Sequence, residues 1–151
     1  MLDTSTSFGP AAPISEVNSP EAESDPALTG DMLEMYFDSD RSGTGTDIYV
    51  SKRGSTSDPW GTPALVPELS TTGFEGAPGI TPDGLTIYIT SSRPGGMGNF
   101  DIWRSTRASR ADAWSSPINI PELSTPEDDS NSQPSGDDLQ MWMASKRGNL
   151  T

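Results

Sequence analysis

Three arginines, Arg41, Arg93 and Arg147, recur at one position of a repeated pattern, and Asp47 and Asp101 follow the first two across a glycine-rich stretch. A ring of such groups at one mouth of a repeat protein would bind a polar ligand or a protein partner. The plainer role is an Arg–Asp pair that braces each turn. Recurrence in every copy favours that structural task, because a binding site more often uses the deviations of one copy. Arg41 is therefore expected to pair with Asp47, and Arg93 with Asp101. Glu23, Glu75 and Asp129 share a second repeated position. Facing a central channel, carboxylates of this kind could serve glycoside hydrolysis; their simpler use is to satisfy backbone donors or to line solvated loops. Asp38 and Asp40 take the first and third places of a calcium-loop pattern with Gly43 at the sixth, but Tyr49 stands where the bidentate glutamate belongs. An acidic surface turn is the simpler reading there. Tyr49, Trp60, Trp103 and Trp114 could stack a sugar, and equally could pack between repeats.

Composition removes other chemistries. No cysteine means no disulfide, thiolate metal site or cysteine nucleophile, and no histidine removes the Ser-His-Asp triad and the usual general base. No cofactor is implied. The formal charge is −13, from 22 acidic and 9 basic residues, which argues against nucleic acid as a partner because phosphate contacts need Lys and Arg. No apolar run approaches a membrane span, so no membrane insertion is expected. Residues Met1 to Pro13 have no basic residue and no apolar core, and do not read as a signal peptide. Leu, Ile, Val and Phe number only 24 of 151 residues. With the high net charge, that alone would argue for disorder.

The repeat overrides that expectation. Asp31 to Arg41, Asp83 to Arg93 and Asp137 to Arg147 are copies of one pattern, and the alignment continues through Asp47-Ile-Tyr and Asp101-Ile-Trp to Leu69-Ser-Thr and Leu123-Ser-Thr. A fixed offset of about 50 residues marks a repeat architecture. Leu85, Ile87 and Ile89 alternate with Thr86, Tyr88 and Thr90, which predicts a half-buried strand. Pro82-Asp-Gly predicts a tight turn before it. A short strand around Pro26 or Pro78, the alternating strand, the Asp-Ile-Tyr/Trp strand and an edge segment near Leu69 or Leu123 make four strands per copy. No segment shows a capped helical stripe.

Four antiparallel strands per copy, repeated, is the pattern of β-propeller blades. The run Asp83-Gly-Leu-Thr-Ile-Tyr-Ile-Thr-Ser-Ser-Arg93, with the glycines after it and Asp101-Ile-Trp, resembles the WD-like Pro-Asp repeats of TolB-like propellers. The departures are Met32 and Asp138 for the turn glycine, and Ser132 for the proline at 26 and 78. The expected fold is thus all-β, with about 2.8 blades of an incomplete ring. Residues 8–20 would be the outer strand of a preceding blade, 21–74 and 75–128 whole blades, and 129–151 the start of a third. Since about four to eight blades close a ring, the expectation is a piece of a longer propeller or a chain that closes by self-association. The resemblance implies a non-catalytic module for protein interaction or scaffolding, in a periplasmic or extracellular setting, with any signal peptide upstream. The alternative is part of a propeller hydrolase, or the non-catalytic propeller of a peptidase.

Overall fold

Strands form where the side chains alternate in the computed structural model, which describes residues 9–137 and 139–148. The first sheet runs β1 (Glu23–Leu28), β2 (Glu34–Ser39), β3 (Asp47–Lys52) and β4 (Ala64–Leu65), in that order. The second repeats it with β5 (Glu75–Ile80), β6 (Thr86–Ser91), β7 (Asp101–Thr106) and β8 (Ile118–Asn119). A third sheet pairs β9 (Asp129–Pro134) with β10 (Met141–Ser145). Every pairing is antiparallel, the sheets are open, and there is no helix among the described residues. The described part of the segment expected as an earlier blade's outer strand, 9–20, makes a turn at Ile14–Val17 and no strand. Even β4 and β8 are only two residues long with a neighbour to pair with. Residues 9–20 have no such neighbour among the described residues.

The sheets stack face to face. Tyr36 and Ile48 of the first sheet, with Val66 and Leu69 after it, pack against Ile80, Ile87, Ile89, Trp103 and Trp114 of the second. Tyr36 and Trp114 meet edge to face at 5.9 Å. A second cluster, Val17, Met35, Phe37 and Tyr49, lines the opposite face of the first sheet. Each fully buried side chain of this size contributes about 1.5–3 kcal/mol. This is how few aliphatic residues suffice: alternation gathers Ile48, Ile87 and Ile89, with Val66, Leu69 and Ile80, at the two faces that meet.

The innermost strands β1, β5 and β9 lie side by side and each carries a bulge. Its residue is Asp25, Ala77 or Asn131, at φ of 48°, 47° and 53°. Strands β5 and β9 approach so closely that a Cβ on Gly79 would lie 1.9 Å from the Ser132 carbonyl oxygen. At the Pro-Asp-Gly turn, Gly84 has φ of 74°, and Met32 holds the same left-handed conformation at 59° in the first sheet. Asp138, the third counterpart, lies outside the described residues.

Met32 is half exposed, so replacing it by glycine forfeits little packing and relieves the left-handed penalty. Met32→Gly is expected to raise stability by about 0.5–1 kcal/mol, read as a higher Tm. Gly79→Ala is expected to lower stability by about 1–3 kcal/mol or more, because the obstacle is backbone on both sides. A Gly79→Ala protein with an unchanged Tm would contradict the close approach of β5 and β9.

Candidate functional site

Strand pairing gathers the repeated charges around one serine in each copy. In the first two copies it sets Glu23 opposite Ser39 and Glu75 opposite Ser91, and in the third Asp129 opposite Ser145. The arginine two residues after each serine folds back on this pair. Arg93 Nε donates to Ser91 Oγ at 2.9 Å, its Nη2 donates to the Leu69 carbonyl at 2.6 Å, and the same nitrogen lies 3.5 Å from Glu75 Oε1. Arg41 does the same with Ser39, the Val17 carbonyl and Glu23, and Arg147 with Ser145, the Leu123 carbonyl and Asp129; both carboxylates stand at 2.9 Å. Thr71 completes the second hub by donating its N–H and hydroxyl to Glu75, at 2.6 and 2.8 Å. Ser19 and Thr125 do so for Glu23 and Asp129. Each hub therefore ties the innermost strand, the second strand, the loop after it and the segment arriving from the previous copy.

This corrects the pairing expected from sequence. Arg41 and Arg93 pair with Glu23 and Glu75, not with Asp47 and Asp101. Asp47 accepts from Ser42 Oγ at 2.8 Å. Asp101 accepts from the N–H groups of Met97 and Gly98 at 2.9 and 3.0 Å, and so caps the glycine turn locally. Ser39 and Ser91 are register partners of both acids, Glu23 and Glu75 on one side and Asp47 and Asp101 on the other; the guanidinium turns to the innermost strand, and each aspartate is taken up within its own loop. Glu75 and Asp129 are fully buried, with oxygens occupied by the hub, so neither lines an open channel. Asp38 is buried too, accepting from Ser24 Oγ and, across the sheets, from the Ala77 N–H. Asp40 accepts from Thr46 Oγ1, and no cluster of three metal-binding side chains exists among the described residues. The aromatic candidates lie under arginines: Tyr49 under Arg41 at 4.9 Å, Trp103 under Arg93 at 5.4 Å, Trp60 under Arg53 at 4.2 Å and Trp114 under Arg107 at 4.4 Å.

Two features belong to single copies. The first is an ion cluster between the sheets. Arg107, almost fully buried, donates to Glu34 at 2.6 Å and to the Gly84 carbonyl at 2.7 Å. Lys52 Nζ reaches the other Glu34 oxygen at 2.9 Å, the Tyr36 hydroxyl donates to Glu34, and Arg110 bridges to Asp31. Sequence reading missed this cluster. The signal was present as a deviation, since Thr86 and Gln140 stand at the Glu34 position in the other copies. The second is an open hollow of about 210 Å³ at the glycine-loop end, lined by Asp25, Phe74, Ala77, Thr90, Phe100 and Asn131. Phe74 and Phe100 meet edge to face at 5.2 Å. Their counterparts are Ala22 and Asp128, and Thr46. The hollow therefore combines the bulges of three innermost strands with an aromatic pair that only the second copy has.

Burial pushes the Glu34 carboxyl up, but Arg107 and Lys52 together hold it below the usual carboxylate range. Glu23 and Asp129 are also held low against burial, by Ser19 and by Ser145 and Arg147 respectively. Arg110 holds Asp31 low, and Thr81 does so for Asp83. Asp38 alone among these carboxylates is pushed up, by burial.

These groups describe an open β-propeller stack. No family model matches the chain, and no curated protein matches its sequence. A crystal structure of TolB from Acinetobacter baumannii superposes on 88% of this chain with a TM-score of 0.64 at 22% identity. The fold is that of a TolB-like β-propeller, and the chain spans 29% of the length of that TolB chain.

Carboxylates held low bind fewer protons folded than unfolded, so their contribution is present above the ordinary carboxylate pKa and is lost as pH falls below about 4. Asp38 has the opposite sign and offsets part of this. The Tm is expected to stay level near neutrality and to drop on acidification, with a shallower drop in Glu34→Gln; melts across acidic pH that showed a rising Tm would contradict the assignment. Glu75→Ala leaves Arg93 mostly buried without its carboxylate and is expected to cost about 3–5 kcal/mol, while Asp101→Asn, which keeps one turn acceptor, costs less. Equal losses for the two would return Asp101 to the role of Arg93's partner.

Proposed function

We propose that this chain is a non-catalytic propeller module that binds a protein partner at the glycine-loop end, through the hollow around Phe74 and Phe100. The observation that carries the reading is the placement of that aromatic pair. It is confined to one copy, it stands beside the inner strands, and it leaves an apolar floor rimmed by Asp25. The net charge of −13 favours a partner segment with basic residues flanking an apolar anchor, since opposite potentials steer encounter. The repeated carboxylates support a non-catalytic role because their oxygens are spent on arginine, serine and threonine within the hubs. A hydrolase would need a carboxyl pair free to face its substrate. The periplasmic or extracellular setting rests on the resemblance of the repeats to TolB-like proteins.

The test is an array of short peptides in which lysine or arginine flanks one aromatic or aliphatic residue, probed with the folded chain. Retained peptides are expected to bind about tenfold more weakly to Phe100→Ala, the loss typical of an anchor position, and to weaken as salt screens the acidic rim. Circular dichroism of Phe100→Ala confirms that the sheets are intact. An array with no retained peptide, or retained peptides indifferent to both Phe100→Ala and salt, would reject the site.

A further inference from the structure

Arg53 and Arg107 occupy the same position in the first and second copies, and three of their interactions are the same. Each lies over a tryptophan, Trp60 or Trp114. Each Nε donates to the carbonyl of the turn residue, Met32 or Gly84, at 2.9 and 2.7 Å. Each Nη1 donates to a carbonyl three residues on, Thr56 or Arg110, at 3.2 Å. They differ at Nη2. In Arg107 this nitrogen crosses to the preceding sheet and meets Glu34; in Arg53 no acceptor meets it among the described residues. Arg53 is thus held in the geometry that receives an acceptor from a preceding sheet.

The same face is partly prepared in other ways. Ile14 and Val17 stand at the positions of Val66 and Leu69, and the Val17 and Leu69 N–H groups make the same turn, to Ile14 and Val66 at 3.0 Å. They already pack where the end of a preceding sheet belongs. Among the described residues, no strand supplies that face with equivalents of Glu34 and Tyr36. In the third copy those positions are Gln140, just before β10, and Trp142, its second residue, both exposed, with Trp142 61% accessible. The second copy offers no rival, because Thr86 and Tyr88 lie on the side of β6 that β9 packs against.

We infer that the β10 face of one chain docks on the first-sheet face of a second copy, with the Gln140 amide oxygen accepting from Arg53 Nη2 of that copy and Trp142 packing edge-on against its Trp60. The contact repeats the observed junction of the first and second sheets, in which Glu34 meets Arg107 and Tyr36 meets Trp114. It is head to tail, so two or more copies close into a ring or extend as a filament. The occupant is a second copy because both complementary faces are present on this one chain.

Sedimentation velocity of the 151-residue chain over a concentration series tests it. The expected result is mass that grows with concentration. Trp142→Ala is expected to weaken the association about thirtyfold, as for a central aromatic anchor. Gln140→Glu, which recreates the Glu34–Arg107 pair, is expected to strengthen it about tenfold, in line with a charge-assisted bond replacing a neutral one. Both residues are exposed, so neither change should unfold the chain. Should Trp142→Ala nonetheless misfold, Gln140→Arg, which opposes Arg53, is expected to dissociate the assembly without altering the fold. A chain that stays monomeric at its highest soluble concentration overturns the inference and leaves the face to a sheet of another chain. So does an association indifferent to both residues.

Discussion

A buried carboxylate that must find its arginine governs this structure. Glu75 sits at the first residue of an innermost strand, fully out of water, and everything it touches comes from somewhere else: Thr71 from the arriving segment, Ser91 from the neighbouring strand, Arg93 from the loop beyond. A paired charge of this kind adds little to stability when compared with apolar side chains of the same shape. Its effect is on the alternatives. A register slip on β6 carries Ser91 and Arg93 away together and leaves Glu75 alone, which costs about 3–5 kcal/mol. The hub therefore selects one register and one arrival angle for each sheet, and it does so three times with Glu23, Glu75 and Asp129.

Packing then completes what the hubs orient. The chain is poor in aliphatic residues, and its sheets are held in part by polar side chains that close on backbone. Ser51 and Ser105 donate to the carbonyls of Gly61 and Ser115, both at 2.6 Å, stitching the outer segment to the third strand. The turn aspartates Asp31, Asp83 and Asp137 each accept from a Thr or Ser hydroxyl two residues before and from a backbone N–H two residues after. Such local caps give each of these turn aspartates a donor that the fold itself supplies.

Repeated and unrepeated residues divide the labour. What recurs at every copy brackets strands and turns. What occurs once, the Glu34–Arg107–Lys52 cluster and the Phe74–Phe100 pair, differentiates one junction and one mouth from the others. The cluster brings three cations toward one carboxylate at a junction where the flanking residues Tyr36 and Trp114 are aromatic. Across the junction of the second and third sheets, Gln133 Nε2 donates to the Pro78 carbonyl and the Asn131 N–H to Thr90 Oγ1. Binding is the expected use of the differences, since a ligand that touched only repeated features would find the same surface several times over.

Much of this architecture is written in the order of the residues. The common offset of Asp31, Asp83 and Asp137, with the alternation after each, specifies the strands, the turns and the antiparallel sheets, because both periodicities are local properties of the chain. The same offset also marked Arg93, Asp101 and Glu75 as repeated charges. It did not say which of the two acids the arginine holds, since both recur with it in the first two copies. Only the tertiary structure decided that: strand pairing sets both Glu75 and Asp101 beside Ser91, the guanidinium folds back to Glu75, and Asp101 accepts from the N–H groups of its own loop. The Glu34 cluster and the Phe74–Phe100 hollow were hidden for the same reason. Their members are 73 residues apart in one case and on different loops in the other, and distance along the chain carries no information about meeting in space until the sheets stack.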